Sequence, residues 1–120
     1  RRFANHKQYK TLLGNRFRTQ NYDPKKCVVC SIHLGMLADS REQRKNIVAA
    51  LIKNGIETRM FSAGNLGLHP FWSNKYGKFS APMADKIHNC GLFLPNNPSL
   101  KPEDIEFISN VAVESVKREN

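Results

Sequence analysis

The segment spanning residues 40–63 constrains the fold most, because it carries signals for a complete helix and a following strand. Ser40 and Gln43 form a capping box, in which two side chains satisfy the free backbone groups of a helix start. Apolar residues then recur at helical spacing until Gly55, a residue type that commonly ends helices. Residues 56–63 predict a strand. The apolar side of the helix consists of Ile47, Val48, Leu51 and Ile52.

Residues 27–34, which precede this helix, alternate in the manner of a half-buried strand. One face is apolar and the other is half polar, so the second face is expected to be partly exposed. The faces consist of Val28, Cys30, Ile32 and Leu34, and of Cys27, Val29, Ser31 and His33. The pattern therefore predicts a strand–helix–strand unit between residues 27 and 63.

The rest of the chain adds helices and one short strand. Residues 3–13 predict a helix, residues 82–89 a short helix, residues 91–94 a strand, and a final helix begins near Pro102. Residues 64–80 are expected to form a long aromatic loop. The final helix has a buried stripe and a basic end, formed by Ile105, Ile108, Ala112, Val116, Lys117 and Arg118. The sum predicts an α+β domain with a small antiparallel or mixed sheet of about three strands, covered by helices.

Charge is distributed unevenly along the 120 residues, a length that suits one domain. Residues 1–26 hold eight Lys and Arg against Asp23 alone, and so carry +7 of the net charge of +9. A basic segment of this kind attracts a polyanion or the acidic face of a partner. The chain has no apolar run of membrane-spanning length and no secretory leader pattern. It also lacks an initiator Met, which suggests a piece of a longer chain.

Three cysteines favour reduced thiols in the cytoplasm over a disulfide framework, because their number is odd and no leader is present. Cys27 and Cys30 have the spacing of a zinc or redox motif. On a strand, however, residues three apart point to opposite faces. Buried or half-buried free thiols and no metal are therefore expected.

The aromatic loop at 64–80 is the one segment that suggests a functional site, since long loops in compact domains often carry function. His69 is its single titratable imidazole, although a lone loop histidine is more often structural. Aromatic and basic residues between Trp72 and Lys78 resemble those of nucleic-acid binders, but no nucleic-acid motif frames them. The sequence contains no P-loop, no dinucleotide-binding glycine pattern and no nucleophile–base set. The residues alone thus predict a domain with one notable loop and no activity.

Two stretches resemble a known family: residues 55–72, GIETRMFSAGNLGLHPFW, and residues 91–105, GLFLPNNPSLKPEDI. Both are similar to the C-terminal small domain of DegT/DnrJ/StrS-type enzymes, which are fold-type-I enzymes that use pyridoxal phosphate on nucleotide-linked sugars. The amino-acid sequence of the first stretch, with the insert at 75–78, is most similar to the lipopolysaccharide-sugar branch. That branch contains 4-aminotransferases and 3-dehydratases of keto-deoxyhexose nucleotides.

The resemblance implies substrate-binding roles for Arg59, Asn65 and His69, which would face the sugar nucleotide or the carboxylate of the amino donor at a cleft between two domains. From the residues alone, a surface ion pair with a neighbour such as Glu57 is the preferred explanation of Arg59. The large domain, which holds the cofactor and the reactive base, has no counterpart in these 120 residues. No catalytic residue and no pyridoxal phosphate site are therefore expected here.

The domain organisation implied by the resemblance is the end of an interdomain helix plus a basic connector at 1–26, followed by the small domain at 27–120. The parent enzyme would be a cytoplasmic homodimer. Its function would be amino transfer to a nucleotide-linked keto-deoxy sugar, or 3-dehydration of such a sugar. A stand-alone basic binding module without catalysis remains the alternative from a different class.

Overall fold

The computed structural model describes residues 1–117. An α+β fold is present, as predicted, with five α-helices and one small sheet. The helices are α1 (Arg2–Leu13), α2 (Arg41–Lys53), α3 (Pro70–Tyr76), α4 (Pro82–Cys90) and α5 (Pro102–Lys117), and a 3₁₀ turn covers Leu66–Leu68. The strands are β1 (Arg18–Thr19), β2 (His33–Leu37), β3 (Arg59–Met60) and β4 (Gly91–Pro95).

The sheet has four strands in the order β1-β2-β4-β3, one more than predicted, and every neighbouring pair is antiparallel. The central pair, β2 and β4, matches five residues on five, with Leu34 opposite Leu94 and Met36 opposite Leu92. The strands at both edges contain only two residues each. The sheet therefore consists of one full pair with a short strand on either side.

One face of the central pair supplies the core. Leu34, Met36, Leu92 and Leu94 are all buried and point to the same face, because alternate strand residues share a side. Helices α1, α2 and α5 cover this face and bury Tyr9, Ile47, Leu51, Ile105 and Ala112 among others. The predicted apolar stripe of the last helix is confirmed, since Ile105, Ile108, Ala112 and Val116 are all buried. Arg118 lies outside the described residues.

Helix α1 belongs to this core as well. Tyr9 and Leu13 are fully buried, and the hydroxyl of Tyr9 donates a hydrogen bond of 2.7 Å to the backbone oxygen of Pro95. Phe17, after the helix, is also buried. Burial raises the pKa of the Tyr9 hydroxyl, and the nearby Asp104 carboxylate adds to the increase. The first turns of the chain thus pack on the domain, while the interdomain role of residues 1–26 stays a prediction.

The capping box is confirmed and explains where α2 begins. The backbone N–H of Gln43 donates to the hydroxyl of Ser40 at 3.0 Å. The amide oxygen of Gln43 reaches back one residue further than in the standard box and accepts from the N–H of Asp39 at 2.7 Å. Two backbone N–H groups at the helix start are satisfied in this way.

The strand predicted at 27–34 is wrong in its extent, because β2 begins only at His33. His33 pairs with Pro95, the last residue of β4, so residues 27–32 have no strand opposite them. Residues 27–32 follow a turn that begins at Asp23, whose backbone oxygen accepts a hydrogen bond from the N–H of Cys27. Val28 is consequently 67% exposed.

The strand predicted at 56–63 is also shorter than expected, with pairing limited to Arg59–Met60. The backbone turns away after Phe61 because Ala63 and Gly64 adopt left-handed conformations, with φ of 61° and 56°. The predicted loop at 64–80 in fact contains the 3₁₀ turn and α3. Within residues 1–117, no helix is long and apolar enough to cross a membrane.

Candidate functional site

The turn at 61–65 packs against α4, and Gly64 makes this approach feasible. A Cβ atom at Gly64 would lie 2.5 Å from Nδ1 of His88, closer than side chains ever pack. The left-handed φ of Gly64 is a second reason for glycine at this position. The loop and the helix therefore meet through a glycine backbone on one side and an imidazole on the other.

Asn65 fixes the shape of the loop from inside. Its side chain is 4% exposed, and its amide oxygen accepts from the N–H of Gly67 at 2.9 Å. Its amide nitrogen donates to the backbone oxygen of Phe79 at 3.0 Å and to a carboxylate oxygen of Asp85 at 2.6 Å. The polar atoms of Asn65 are thus engaged by the protein, and the residue positions the loop.

Asp85 completes this network on α4. The hydroxyl of Ser80 donates to its second carboxylate oxygen. This hydrogen bond, together with the one from Asn65, lowers the pKa of Asp85 below its ordinary value, because both favour the charged form. The carboxylate is therefore ionised at neutral pH and faces Ser80 and Asn65.

Two imidazoles lie beside this network. Nδ1 of His88 accepts a hydrogen bond of 3.1 Å from the backbone N–H of Asn65. The proton of neutral His88 is consequently assigned to Nε2. His69 points Nε2 at the backbone oxygen of Ala63, 2.6 Å away, and a carbonyl can only accept, so this nitrogen carries a proton. The two ring centroids are 6.1 Å apart with the planes nearly perpendicular.

A cavity of about 240 Å³ opens between these groups. Arg44 enters it from α2, and His69 and His88 line it together with Gly64. The guanidinium of Arg44 donates from Nη1 to the backbone oxygens of His88 at 2.7 Å and Gly91 at 3.3 Å. Arg44 is 8% exposed, and its burial lowers the pKa of the guanidinium from its ordinary value, with the neighbouring Arg41 adding to the effect.

The three predicted site residues are only partly brought together. His69 lines the cavity, and Asn65 lies next to it with its side chain engaged in the loop. Arg59 is exposed on β3, outside the cavity lining, and forms an ion pair of 3.2 Å with Glu57. The ion pair offered as the alternative for Arg59 is thus present, while the substrate-binding roles of all three residues stay predictions.

Sequence reasoning missed Arg44 and His88. One signal could have found Arg44, because it shares a helix face with Ile47 and Leu51 three and seven residues later. An arginine on a buried face needs hydrogen-bond acceptors there. No comparable signal marked His88, whose position depends on how α4 packs against the loop.

Phe71 and Trp72 of α3 lie outside the core. Phe71 is 66% exposed and Trp72 is also exposed. The reason is that α3 contacts mainly the 3₁₀ turn and has no buried residue. This helix instead presents an aromatic surface, in which the rings of Trp72 and Tyr76 lie 4.6 Å apart.

The cysteines are free thiols, as predicted, but two are less buried than expected. Cys27 and Cys30 are exposed, since their segment is not a strand, and Cys90 is buried. Among residues 1–117, no group of three or more His, Cys, Asp and Glu side chains could hold a metal ion.

The described lysines do not fit the role of a lysine bonded to pyridoxal phosphate, which requires a desolvated amine in a formed pocket. Each lysine from Lys7 to Lys117 is exposed, apart from the half-buried Lys10. The Lys10 ammonium donates to the backbone oxygen of Gln20 and lies 5.0 Å from the centre of the Tyr22 ring. No chemical step through the cofactor is therefore assigned to this chain.

The sequence matches the DegT/DnrJ/EryC1/StrS aminotransferase family over residues 1–112. The match covers nearly the whole chain and agrees with the resemblance carried by the Gly55–Trp72 stretch. The chain therefore belongs to this family. A comparison with curated protein sequences finds no match.

Solved structures share the fold. The aminotransferase TlmJ from Streptoalloteichus hindustanus matches 98% of this chain with a TM-score of 0.81 and 18% identity. PseC from Helicobacter pylori, an aminotransferase involved in the biosynthesis of pseudoaminic acid, matches 98% with a TM-score of 0.80 and 15% identity. The E. coli GDP-4-keto-6-deoxy-D-mannose-3-dehydratase with bound hydrated PLP matches 92% with a TM-score of 0.76 and 19% identity.

The match spans less than a third of these proteins: 31% of TlmJ, 32% of PseC and 30% of the dehydratase. At this sequence identity, the similarity shows a common fold. It does not assign the activity or the substrates of the longer proteins to this chain.

Proposed function

We propose that this chain is the C-terminal small domain of a pyridoxal-phosphate enzyme that transfers an amino group to a nucleotide-linked keto-deoxy sugar. The observation that carries the proposal is the family match over residues 1–112, combined with coverage of about 30% of the similar structures. A protein as long as those similar structures would supply the cofactor site that the lysines of this chain do not provide. The enzyme would be cytoplasmic. Its sugar product would be used in cell-surface polysaccharides, as in the lipopolysaccharide-sugar branch that the sequence resembles.

In this proposal, the small domain forms one wall of a cleft with the missing large domain. His69 lines the cavity, and Arg59 is exposed on β3. Both side chains are therefore accessible to a ligand. Asn65 would contribute by holding the loop. The parent enzyme would act as a homodimer, with a nucleotide-linked sugar and an amino donor as substrates.

The 3-dehydratase of the same family is the second candidate, and the similarity to the E. coli dehydratase supports it. Both reactions begin with the same cofactor and the same class of sugar. The difference rests on the base beside the cofactor, which would lie in the large domain.

The test is to express the gene together with all codons upstream of Arg1 and to measure pyridoxal absorbance. We expect the longer protein to retain the cofactor through gel filtration and the 120-residue chain to retain none. Both reactions would consume glutamate, so the products separate them. A sugar that has gained an amino group would identify the aminotransferase, and a 3-deoxy keto sugar formed with release of ammonia would identify the dehydratase.

Two results would contradict the proposal: a longer protein without cofactor, or tight nucleic-acid binding by the 120-residue chain at moderate salt. The second result would favour the stand-alone binding module, because the exposed basic residues near the start of the chain would explain it. These are Lys7, Arg16, Arg18, Lys25 and Lys26.

A further inference from the structure

We propose that the cavity between β3, α2 and α4 binds an oxyanion, a phosphate or carboxylate group, through Arg44, His69 and His88. The proposal rests on the proposed function only for the source of the oxyanion, which would be the nucleotide-linked sugar or the amino donor. It also moves the centre of the candidate site away from Arg59, because Arg59 does not line this cavity.

Arg44 has more hydrogen-bond donors than the protein uses. A guanidinium carries five N–H groups in a planar fork. Here Nη1 makes both hydrogen bonds, to the oxygens of His88 and Gly91. The other guanidinium nitrogens, Nε and Nη2, make no hydrogen bond to residues 1–117. Neither is among the solvent-inaccessible polar atoms that lack a partner. They are therefore open to the cavity or the groove beside it, with the fork held in place by the two backbone oxygens.

The protein also fixes which nitrogen of His88 donates. The N–H of Asn65 occupies Nδ1, so the proton of the neutral ring lies on Nε2. Nε2 of His88 is not among the solvent-inaccessible atoms that lack a hydrogen-bond partner. The ring lines the cavity. His88 thus offers an N–H donor without needing a positive charge.

His69 also lines the cavity. Its Nε2 donates to Ala63, which holds the ring by a short loop contact. Its Nδ1 is not among the solvent-inaccessible side-chain atoms without a partner, so this nitrogen is reachable from the cavity that the ring lines.

The surrounding charges also favour an anion. Arg41 and Lys45 border the adjoining groove on α2, which shares Arg44 and Met60 with the cavity. Glu42 lies on that groove as well and opposes them. The nearest carboxylate on α4, Asp85, is engaged by Asn65 and Ser80 and does not line the cavity. Bidentate arginine contacts suit both phosphate and carboxylate groups, so the geometry selects the oxyanion and leaves its source to experiment.

The test uses the 120-residue chain and follows the imidazole nitrogen resonances by NMR at constant ionic strength. Three probes are titrated separately: inorganic phosphate, a nucleoside diphosphate and glutamate. We expect saturable shifts of the His69 and His88 signals. Tighter binding of the nucleoside diphosphate would assign the site to the sugar nucleotide, and tighter binding of glutamate would assign it to the amino donor.

Arg44→Gln removes the guanidinium and is expected to weaken binding about tenfold, as the loss of a charged hydrogen bond does. Arg16→Gln is the matched control, because it removes the same charge from an exposed position outside the cavity lining. Arg44 also joins α2 to α4, so His69→Gln serves as a second variant. Its side-chain amide can still donate to Ala63, while the imidazole Nδ1 is lost.

The proposal fails if no probe shifts the two imidazoles, or if Arg16→Gln weakens binding as much as Arg44→Gln. It also fails if both cavity variants bind like the unchanged chain. None of these results bears on whether the longer protein carries pyridoxal phosphate. The failure of this site and the failure of the proposed function are therefore distinguishable.

Discussion

The two faces of the sheet are held together by different kinds of interaction. On one face, Leu34, Met36, Leu92 and Leu94 pack against three helices and are inaccessible to solvent. On the other face, the rings of His33 and Phe61 lie on Phe93, with centroids 5.0 and 4.6 Å away, and the loop and short helices beyond them are mostly exposed. The first face is an apolar core. The second depends on a few side-chain hydrogen bonds around Asn65, His88 and Arg44.

This difference indicates that the interactions that set global stability and those that set local loop structure are separated in the molecule. Burial of apolar surface dominates folding and is provided by the helical side. The open side has little buried apolar area of its own, so polar contacts determine its shape and can change locally without unfolding the domain. Substitutions should therefore affect global stability on one face and local structure on the other.

The largest expected effect is that of Leu94→Ala on the helical side. Removing a fully buried leucine leaves a cavity in the core and should lower the free energy of unfolding by about 2–5 kcal/mol. Phe71→Ala, on the open side, removes a larger but exposed side chain and should change it by less than about 0.5 kcal/mol. Urea denaturation of both variants measures the contrast. Equal losses would show that the exposed helix α3 contributes to the core.

Asn65→Ala should have the next largest effect. The substitution leaves the N–H of Gly67 and the oxygen of Phe79 without their side-chain partners, which should cost about 2 kcal/mol. Hydrogen exchange should increase first between residues 61 and 69. Asn74→Ala, at an exposed position of α3, is the control and should change neither quantity. An unchanged exchange pattern in Asn65→Ala would mean that the loop is held by other contacts.

The next effect depends on pH and arises from His6, which is fully buried and whose two ring nitrogens hydrogen-bond to no atom of residues 1–117. Burial lowers the pKa of His6, and the Lys10 ammonium lowers it further. Below its ordinary value of about 6.5, the unfolded chain binds a proton that the folded protein does not. Stability is thus fully present above about pH 6.5 and declines as the pH falls, by at most about 1.4 kcal/mol per pH unit.

The measurement for His6 is chemical denaturation between pH 7.5 and 5, in the unchanged chain and in His6→Phe. The phenylalanine keeps the edge contact with Tyr22, whose ring centroid is 5.4 Å from that of His6, and removes the titration. Asp85 titrates at lower pH, so it contributes little in this window. An identical pH dependence in the two proteins would exclude His6 as the cause.

The smallest expected effect on stability is that of Arg59→Ala. Its ion pair with Glu57 is exposed, and such pairs contribute about 0–1 kcal/mol. If Arg59 faces the substrate as the sequence resemblance implies, the same substitution should weaken substrate use in the longer enzyme with little change in unfolding. Normal substrate use by Arg59→Ala would leave the cavity at Arg44 as the better candidate.

The helical side of the fold could be predicted from sequence, because its signals are local. The capping box at Ser40, the helical stripe of α5 and the helix-starting Pro102 each depend on residues close in the chain. The extent of the strands could not be predicted, because pairing depends on the opposite strand. The strand at 27–34 shows this, since β4 ends opposite His33 and residues 27–32 have no strand to pair with.

The candidate site was only partly predictable for a similar reason. His69 was found because it lies in a distinctive loop, whereas Arg44 and His88 lie on helices whose patterns indicate only packing. The cavity forms where α2, the loop and α4 meet, and Arg44 and His88 are 44 residues apart in the chain. Such a meeting point depends on tertiary contacts such as the glycine approach at Gly64.

The two-residue edge strands, β1 and β3, have a consequence for how this domain can associate. A long free strand offers a row of backbone donors and acceptors on which another chain can form an additional strand, and fibrils can grow by the same route. Here each end of the sheet offers too few consecutive backbone groups for such growth. We therefore expect an assembly of this domain with a second polypeptide to rely on side-chain contacts more than on added strands.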